Sequence, residues 1–185
     1  MPRRVRCLLL CEDLEQEQFF RPILEKLLKG PVRVEPRLPN GGIAFVLKQL
    51  PRCSKVLKRF PSETRGLVVV VDGDDDGLEG RLKAVDAVLK ESGLTPRSAE
   101  RRLSVCVPSR TIETWDLWFL GTRDVDEKTD YKPLFRNRWR DDSNASRRAS
   151  EAWFEPVDGA AEAERLPALV HARSELQRLK EFEAG

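Results

Sequence analysis

The stretch Leu67-Val68-Val69-Val70-Val71-Asp72-Gly73-Asp74-Asp75-Asp76-Gly77 decides the fold. Four β-branched residues in a row favour extended backbone, because branching at Cβ restricts χ1. The run does not alternate apolar with polar residues. A strand without alternation is buried on both faces, as in parallel sheets covered by helices. The chain then turns from apolar to acidic within one residue, and a helical pattern opens at Gly77.

The same unit recurs on either side. Val5 to Leu10 is nearly all apolar after Arg6 and reads as a second buried strand. Phe19, Phe20, Ile23, Leu24, Leu27 and Leu28 then follow helical spacing. Pro22 inside that helix requires a late start or a kink. Gly30-Pro31 closes it, and Val32 to Leu38 alternates like an edge strand. Asn40-Gly41-Gly42 is a turn. Ile43, Val46, Leu47, Leu50, Val56, Leu57 and Phe60 predict helix, broken near Pro51. Gly77 to Ser92 is a helix, Leu103 to Val107 a strand, and Ile112 to Leu120 a short helix with Trp115 and Trp118 as core. This order predicts an α/β fold: a mostly parallel, Rossmann-like sheet with helices on both faces, within residues 1–120. From Gly121 to Glu151 the pattern is lost. It returns at Pro167 to Phe182, with Leu169, Ala172, Leu176 and Leu179 on one face. Residues 121–185 thus read as an irregular basic segment and a C-terminal helix packed on the domain.

Composition narrows the function. Lys plus Arg is 33 and Asp plus Glu 31, so a net charge of +2 neither demands nor excludes a polyanionic partner. Local clustering must carry that question. No apolar run approaches the roughly 18 residues of a membrane span. The N-terminal segment is too short and too charged for a signal peptide, so a cytoplasmic location without membrane contact is expected. Cys7, Cys11 and Cys106 form no Cys-x-x-Cys and read as small buried hydrophobes. His171 is the only histidine. It lies in a charged helical stretch, where a solvated side chain is expected, and its solitude excludes most histidine-based catalysis.

In open parallel sheets, ligands bind beyond the carboxyl ends of the strands. There the chain places Glu12 and Asp13, then Asp72, Asp74, Asp75 and Asp76, then Arg110 and Glu113. Carboxylates so close repel when ionised. Mg²⁺ or Mn²⁺ is the natural counter-charge, held by Glu12, Asp72, Asp74 and Asp76. With extended backbone, Asp72 and Asp74 point the same way and share an ion, and Gly73 allows close approach. The competing reading is an acidic turn that caps the next helix. It leaves unexplained why Glu12 holds the equivalent place after the first strand. The run lacks the glutamate that an EF-hand loop needs.

Taken in order, Glu12 in LLLCEDLEQEQFF, Asp72 and Asp74 in VVVVDGDDDG, and Pro108-Ser109-Arg110-Thr111-Ile112-Glu113-Thr114-Trp115 resemble the Toprim signature. More narrowly they look like short prokaryotic Toprim-like proteins related to OLD-family nucleases, over about the first 120 residues. Asp13 stands where that family usually has glycine. The resemblance implies Mg²⁺- or Mn²⁺-dependent phosphodiester chemistry on DNA or RNA. Asp72 and Asp74 would hold metal, and Glu12 would complete the site or act as base. Glu113 would be a second ligand or a structural acid. Arg110 would contact the phosphate or pair with Glu113, and Arg110 or Lys83 would supply the basic residue near the metals. An ABC- or AAA-type ATPase partner in phage defence is a further implication. A homodimer is compatible with the sequence.

Arg136, Arg138, Arg140, Arg147 and Arg148 surround Trp139 and suggest a nucleic-acid arm: arginines neutralise phosphates, and tryptophans such as Trp139 and Trp153 can stack on an unpaired base. Asp141 and Asp142 dilute the patch. Two other readings stand beside the nuclease. One is a receiver-like phosphotransfer domain with Asp72 as nucleophile and Arg110 where a lysine is wanted. The other is a non-catalytic binding module on the same fold.

Overall fold

The computed structural model describes residues 6–36, 41–60, 64–155 and 164–184. Strands β1 (Cys7–Leu10), β2 (Val32–Val34), β3 (Gly66–Val70) and β4 (Leu103–Cys106) form one sheet. All are parallel, in the order β2-β1-β3-β4. Helices α1 (Leu14–Leu27), α2 (Gly42–Arg59) and α3 (Gly77–Glu91) alternate with them. Four more follow: α4 (Ile112–Phe119), α5 (Lys132–Trp139), α6 (Ala145–Glu151) and α7 (Pro167–Ala184). The protein is therefore an α/β domain on a parallel sheet, with β2 at one edge. Part of the segment expected to extend β2, and Asn40 of the expected turn, lie outside the described residues. No helix among the described residues is long and apolar enough to cross a membrane.

Successive residues of a strand face opposite ways, and both faces of this sheet are covered. Cys7, Leu9, Val68, Val70 and Cys106 pack with α1, α4, α6 and α7. Leu8, Leu10, Leu67, Val69 and Val105 pack with α2 and α3. This double burial is why β1 and β3 carry no polar alternation, whereas the edge strand β2 alternates, with Arg33 exposed between Val32 and Val34. On the first face Phe19, Phe20, Trp115 and Trp153 meet at centroid distances of 5.3 to 6.5 Å. That cluster joins the first 120 residues and the later segment in one core. All four cysteines are buried thiols. Burial raises Cys53 to about 11 and Cys106 well above its ordinary value, so neither is a ready nucleophile.

Several local expectations are corrected. Helix α2 runs unbroken through Pro51. Phe45, Val46 and Leu50 before the proline, and Cys53 and Leu57 after it, all bury against the sheet. Packing on both sides outweighs one missing hydrogen bond. Helix α1 does not start late for Pro22: it starts at Leu14 and continues to Leu27. The stretch from Gly121 to Glu151 is not irregular, because it contains α5 and α6. Phe135 and Trp139, and Ala145 and Ala149, are each four apart, a helical period obscured by the surrounding charge. His171 is half-buried rather than solvated, its Nε2 shut off from solvent.

Strand β4 forms the other edge of the sheet, and α7 covers it. Glu175 Oε2 accepts the Val105 N–H at 3.1 Å, and the Glu175 carbonyl accepts from Ser104 Oγ at 2.9 Å. Arg178 donates to the Leu103 carbonyl at 2.7 Å. These bonds satisfy backbone groups that a neighbouring strand would otherwise take. Helix α7 is itself fixed at its start by the buried Glu127. Its carboxylate accepts from the N–H groups of Ala168 and Leu169 at 2.7 and 3.0 Å, and from Trp115 Nε1 at 2.9 Å. A carboxylate there also meets the positive end of the helix dipole.

Glu175→Ala leaves the buried Val105 N–H without an acceptor and should cost about 1–3 kcal/mol in urea unfolding. Glu175→Gln, which keeps an acceptor oxygen, should recover most of it. Equal losses in the two variants would contradict the edge-capping role.

Candidate functional site

The chain leaves β1 for β2 on one side and returns to β3 on the other. At that reversal a crevice opens beyond the carboxyl ends of β1 and β3. Their register pairs Leu10 with Val69, which brings Glu12 to the level of Val71 and Asp72. Glu12 Oε1 accepts the Asp72 N–H at 2.7 Å. Gln16 Nε2 donates to Asp72 Oδ1 at 3.0 Å, and Gln16 Oε1 accepts the Glu12 N–H at 2.9 Å. Gln16 is held by the start of α1, where Asp13 is the N-cap and accepts the Gln16 N–H at 2.9 Å. Gln16 was missed in the sequence. Its signal was the capping-box spacing Asp13-x-x-Gln16, with the glutamine reaching one residue further back than usual.

Asp72 is 6% exposed. Burial, then the charges of Asp13, Glu12 and Glu113, hold its carboxyl well above the ordinary range. Burial also lifts Glu12 to about 7, with Asp74 and Asp13 adding to the shift while the Asp72 N–H and Arg81 oppose it. Asp13 is raised, by burial first. Glu113, in the first turn of α4, is 4% exposed. Its Oε1 lies 3.9 Å from Lys132 Nζ, and its Oε2 is buried without a partner. Behind it, the fully buried Asp116 accepts from Ser146 Oγ at 2.6 Å, and burial pushes its carboxyl well above the ordinary range. The sequence thus located four acids that do converge: Glu12, Asp13, Asp72 and Glu113.

The rest of the acidic run behaves otherwise. The Gly73 N–H donates to the Pro108 carbonyl at 2.7 Å and the Asp74 N–H to the Arg110 carbonyl at 2.9 Å. The loops after β3 and β4 therefore lie against each other. A Cβ on Gly73 would fall 1.9 Å from the Ser109 carbonyl oxygen, so only glycine fits. Asp74 sits at φ 47°. The backbone is not extended, and the expected alignment of Asp74 with Asp72 is corrected. Arg81 of α3 gathers the loop: Nε donates to the Asp72 carbonyl at 2.8 Å, Nη2 to Asp74 Oδ2 at 2.9 Å, and Nη1 lies 2.8 Å from Asp76 Oδ2. Arg81 is thus a basic residue on this loop that the sequence reading did not name, beside the expected Arg110. It lies nine positions after Asp72, on the helix the acids introduce. Arg110 does not pair with Glu113. It donates to Asp75 Oδ1 at 2.7 Å and to the Asp74 carbonyl at 3.2 Å.

Among the described residues no three His, Cys, Asp or Glu side chains gather closely enough to hold a metal ion. Arg81 engages the carboxylates of Asp74 and Asp76. The remaining donors nevertheless suit Mg²⁺ or Mn²⁺. Glu12 and Asp72 offer hard oxygens whose ionisation burial opposes, and Glu113 carries an orphaned oxygen. Mg²⁺ commonly takes only one or two carboxylates and completes its shell with water and substrate phosphates.

All five arginines from Arg136 to Arg148 are exposed. Arg138 and Arg148 lie over the Trp139 ring, 5.5 and 4.9 Å from its centroid. Arg148 also pairs with Asp142, and Arg140 lies 3.8 Å from Asp141. Guanidinium groups thus already lie over the Trp139 ring, and Trp153 is buried in the core.

The chain matches no protein-family profile, no curated protein and no solved structure.

The value near 7 for Glu12 fixes a pH effect. Folded Glu12 keeps its proton up to about 7, whereas the ordinary carboxyl releases it near 4.5. Between those values the folded state binds the extra proton, so its stability falls as pH rises, and the penalty is full above 7. Glu12→Gln removes that penalty and still accepts the Asp72 N–H. In EDTA the variant should match wild type near pH 4.5 and melt at least about 2 °C higher at pH 8. A difference that does not change with pH would refute the buried-acid account.

Proposed function

We propose that this chain is a Toprim-like phosphodiesterase that cleaves nucleic acid with Mg²⁺ or Mn²⁺. The observation that carries the reading is the 2.7 Å bond from the Asp72 N–H to Glu12. It joins the acids after β1 and β3 at the sheet's reversal point, where the Toprim signature requires them to meet. Glu12 and Asp72 would hold the ion, and Asp74 and Asp76, engaged by Arg81, are the loop acids next available to it. A bound divalent ion would supply Lewis-acid stabilisation of the phosphoryl oxygens. Hydrolysis breaks one P–O ester bond as water's oxygen bonds to phosphorus; the attacking water gives up a proton, and the departing oxygen takes one and leaves as an alcohol. A Glu12 that does not ligate the ion is the neighbouring group that would take the water's proton, since burial lifts its carboxyl to about 7. The exposed arginines of α5 and α6 would bind the flanking phosphates. An ABC- or AAA-type ATPase partner, and a role in phage defence, belong to the same proposal.

The receiver-like reading is weaker. Asp72 is buried and favours its neutral form, and Arg110 is turned to Asp75 instead of toward it. Both features disfavour a nucleophilic Asp72.

DNA and RNA oligonucleotides incubated with Mn²⁺ should be cut, EDTA should abolish cutting, and Asp72→Asn and Glu12→Gln should each lower the rate at least about 100-fold. Cutting that survives both substitutions would sink the assignment. Mn²⁺ titration monitored calorimetrically provides a second check. Arg81→Met removes a competing cation and releases two carboxylates, so affinity should rise about tenfold over wild type. Unchanged or weaker binding would show that Arg81 builds the site rather than occupying it.

A further inference from the structure

Beside the acids that meet beyond β1 and β3 lies an uncharged side chain, Gln16, which is fully buried. Its amide is used at both ends. Oε1 accepts the Glu12 N–H at 2.9 Å, and Nε2 donates to Asp72 Oδ1 at 3.0 Å. The Asp72 N–H in turn donates to Glu12 Oε1 at 2.7 Å. The three bonds close a ring through the end of β1, the start of α1 and the end of β3. A backbone N–H can only donate, so Glu12 fixes which end of the amide faces it and leaves the NH₂ group for Asp72. Helix α1 holds Gln16 in place. Asp13 Oδ1 accepts its N–H at 2.9 Å, and Phe19, Phe20 and Ile23 anchor the helix in the core.

The ring leaves each carboxylate with one bonded oxygen. Among the described residues Asp72 Oδ2 and Glu12 Oε2 accept no hydrogen bond. Asp72 Oδ1 is turned toward a side chain with no solvent exposure, so an ion entering from the crevice meets Oδ2. Asp72 is thereby presented as a ligand of one oxygen. That bears on the choice of ion. Mg²⁺ and Mn²⁺ suit octahedral sites of about six oxygens, served by one oxygen from each carboxylate. Ca²⁺ takes about six to eight and readily grips both oxygens of one carboxylate.

We propose that Gln16 is a positioning residue that sets the ion selectivity of this site. By holding Asp72 through Oδ1 it keeps that carboxylate to single-oxygen coordination, which favours Mg²⁺ or Mn²⁺ over Ca²⁺. The inference rests on the metal-dependent reading above and adds what chooses the metal. Gln16 touches neither ion nor substrate and acts through Asp72.

The test is calorimetric Mn²⁺ titration of the full chain after dialysis against EDTA, with Mg²⁺ or Ca²⁺ as competitor. Each protein then yields a ratio of Mg²⁺ to Ca²⁺ affinity. Gln16→Met keeps the length of the side chain and removes both hydrogen bonds. Gln16→Glu keeps an acceptor for the Glu12 N–H and removes only the donor to Asp72. Wild type should prefer Mg²⁺, and the ratio should fall at least about tenfold in both variants, the scale of losing a group bonded to a metal ligand. A Gln16 that merely supported the fold would weaken both ions alike. An unchanged ratio, or a wild type that prefers Ca²⁺, would therefore overturn the role of Gln16 alone, provided that metal-dependent cutting is intact. Where a variant does not fold, the wild type answers by itself through ¹⁵N NMR of the Gln16 side-chain amide. Its protons should be protected from solvent exchange, and its signal should move with Mg²⁺ while staying protected. A signal that ignores Mg²⁺, or exchanges freely once the ion is bound, would also overturn the proposal. Altered selectivity in the variants, without cutting of nucleic acid by wild type, would uphold Gln16 and defeat the nuclease reading. No binding of any of the three ions would defeat both.

Discussion

The Asp72 carboxylate stands where the most deeply buried strand runs out, and the residues around it answer to its charge. An ion in that position needs a proton, hydrogen-bond donors or a cation. Gln16 supplies a donor to one oxygen. Burial and the neighbouring acids favour a proton. Arg81 supplies a cation, although it binds the Asp72 carbonyl and the outer acids instead of the carboxylate itself. The outer acids are therefore quenched while the inner ones remain frustrated. A divalent ion would relieve the inner group, and the cost of keeping those acids together is intelligible if relief is what they are kept for.

The surrounding fold makes that frustration hard to escape. The loops after β3 and β4 lie against each other through backbone hydrogen bonds, and Gly73 leaves no room for a side chain between them. Helix α4 then starts close to the same point and carries Glu113 inward. Its other side holds Trp115 in the aromatic core, while Asp116, on the same side as Glu113, is bonded to Ser146 of α6. The later helices are consequently more than an appendage. Through α4 they brace the acid cluster.

How much of this was legible in the sequence depended on whether the signal was local. Strands β1 and β3 could be read because double burial leaves an uninterrupted apolar run, with Val68 to Val71 the extreme case, and β2 because an edge strand alternates. Glu12, Asp72 and Glu113 could be placed from topology, because each follows directly on a strand or its first turn. Asp74 could not. Its left-handed backbone depends on the contact between Gly73 and Ser109, which comes from a distant part of the chain. Arg81 was hidden as an ordinary charge on an exposed-looking helix. Helices α5 and α6 were masked by arginines that dominate their composition while only Phe135, Ala145 and Ala149 and their neighbours turn inward. Pro51 misled because a local rule about helix breaking was outweighed by packing against the sheet.

The covering of β4 by α7 also sets an order of events during synthesis. Val105 and Glu175 are 70 positions apart. A ribosome that has released β4 has not yet made the helix that closes its edge. During that interval the nascent sheet presents an open, apolar, hydrogen-bonding margin to whatever is nearby, including other copies emerging from the same message. Folding therefore cannot finish from the N-terminus forward. The chain must hold a nearly complete sheet in waiting until α7 arrives to close it.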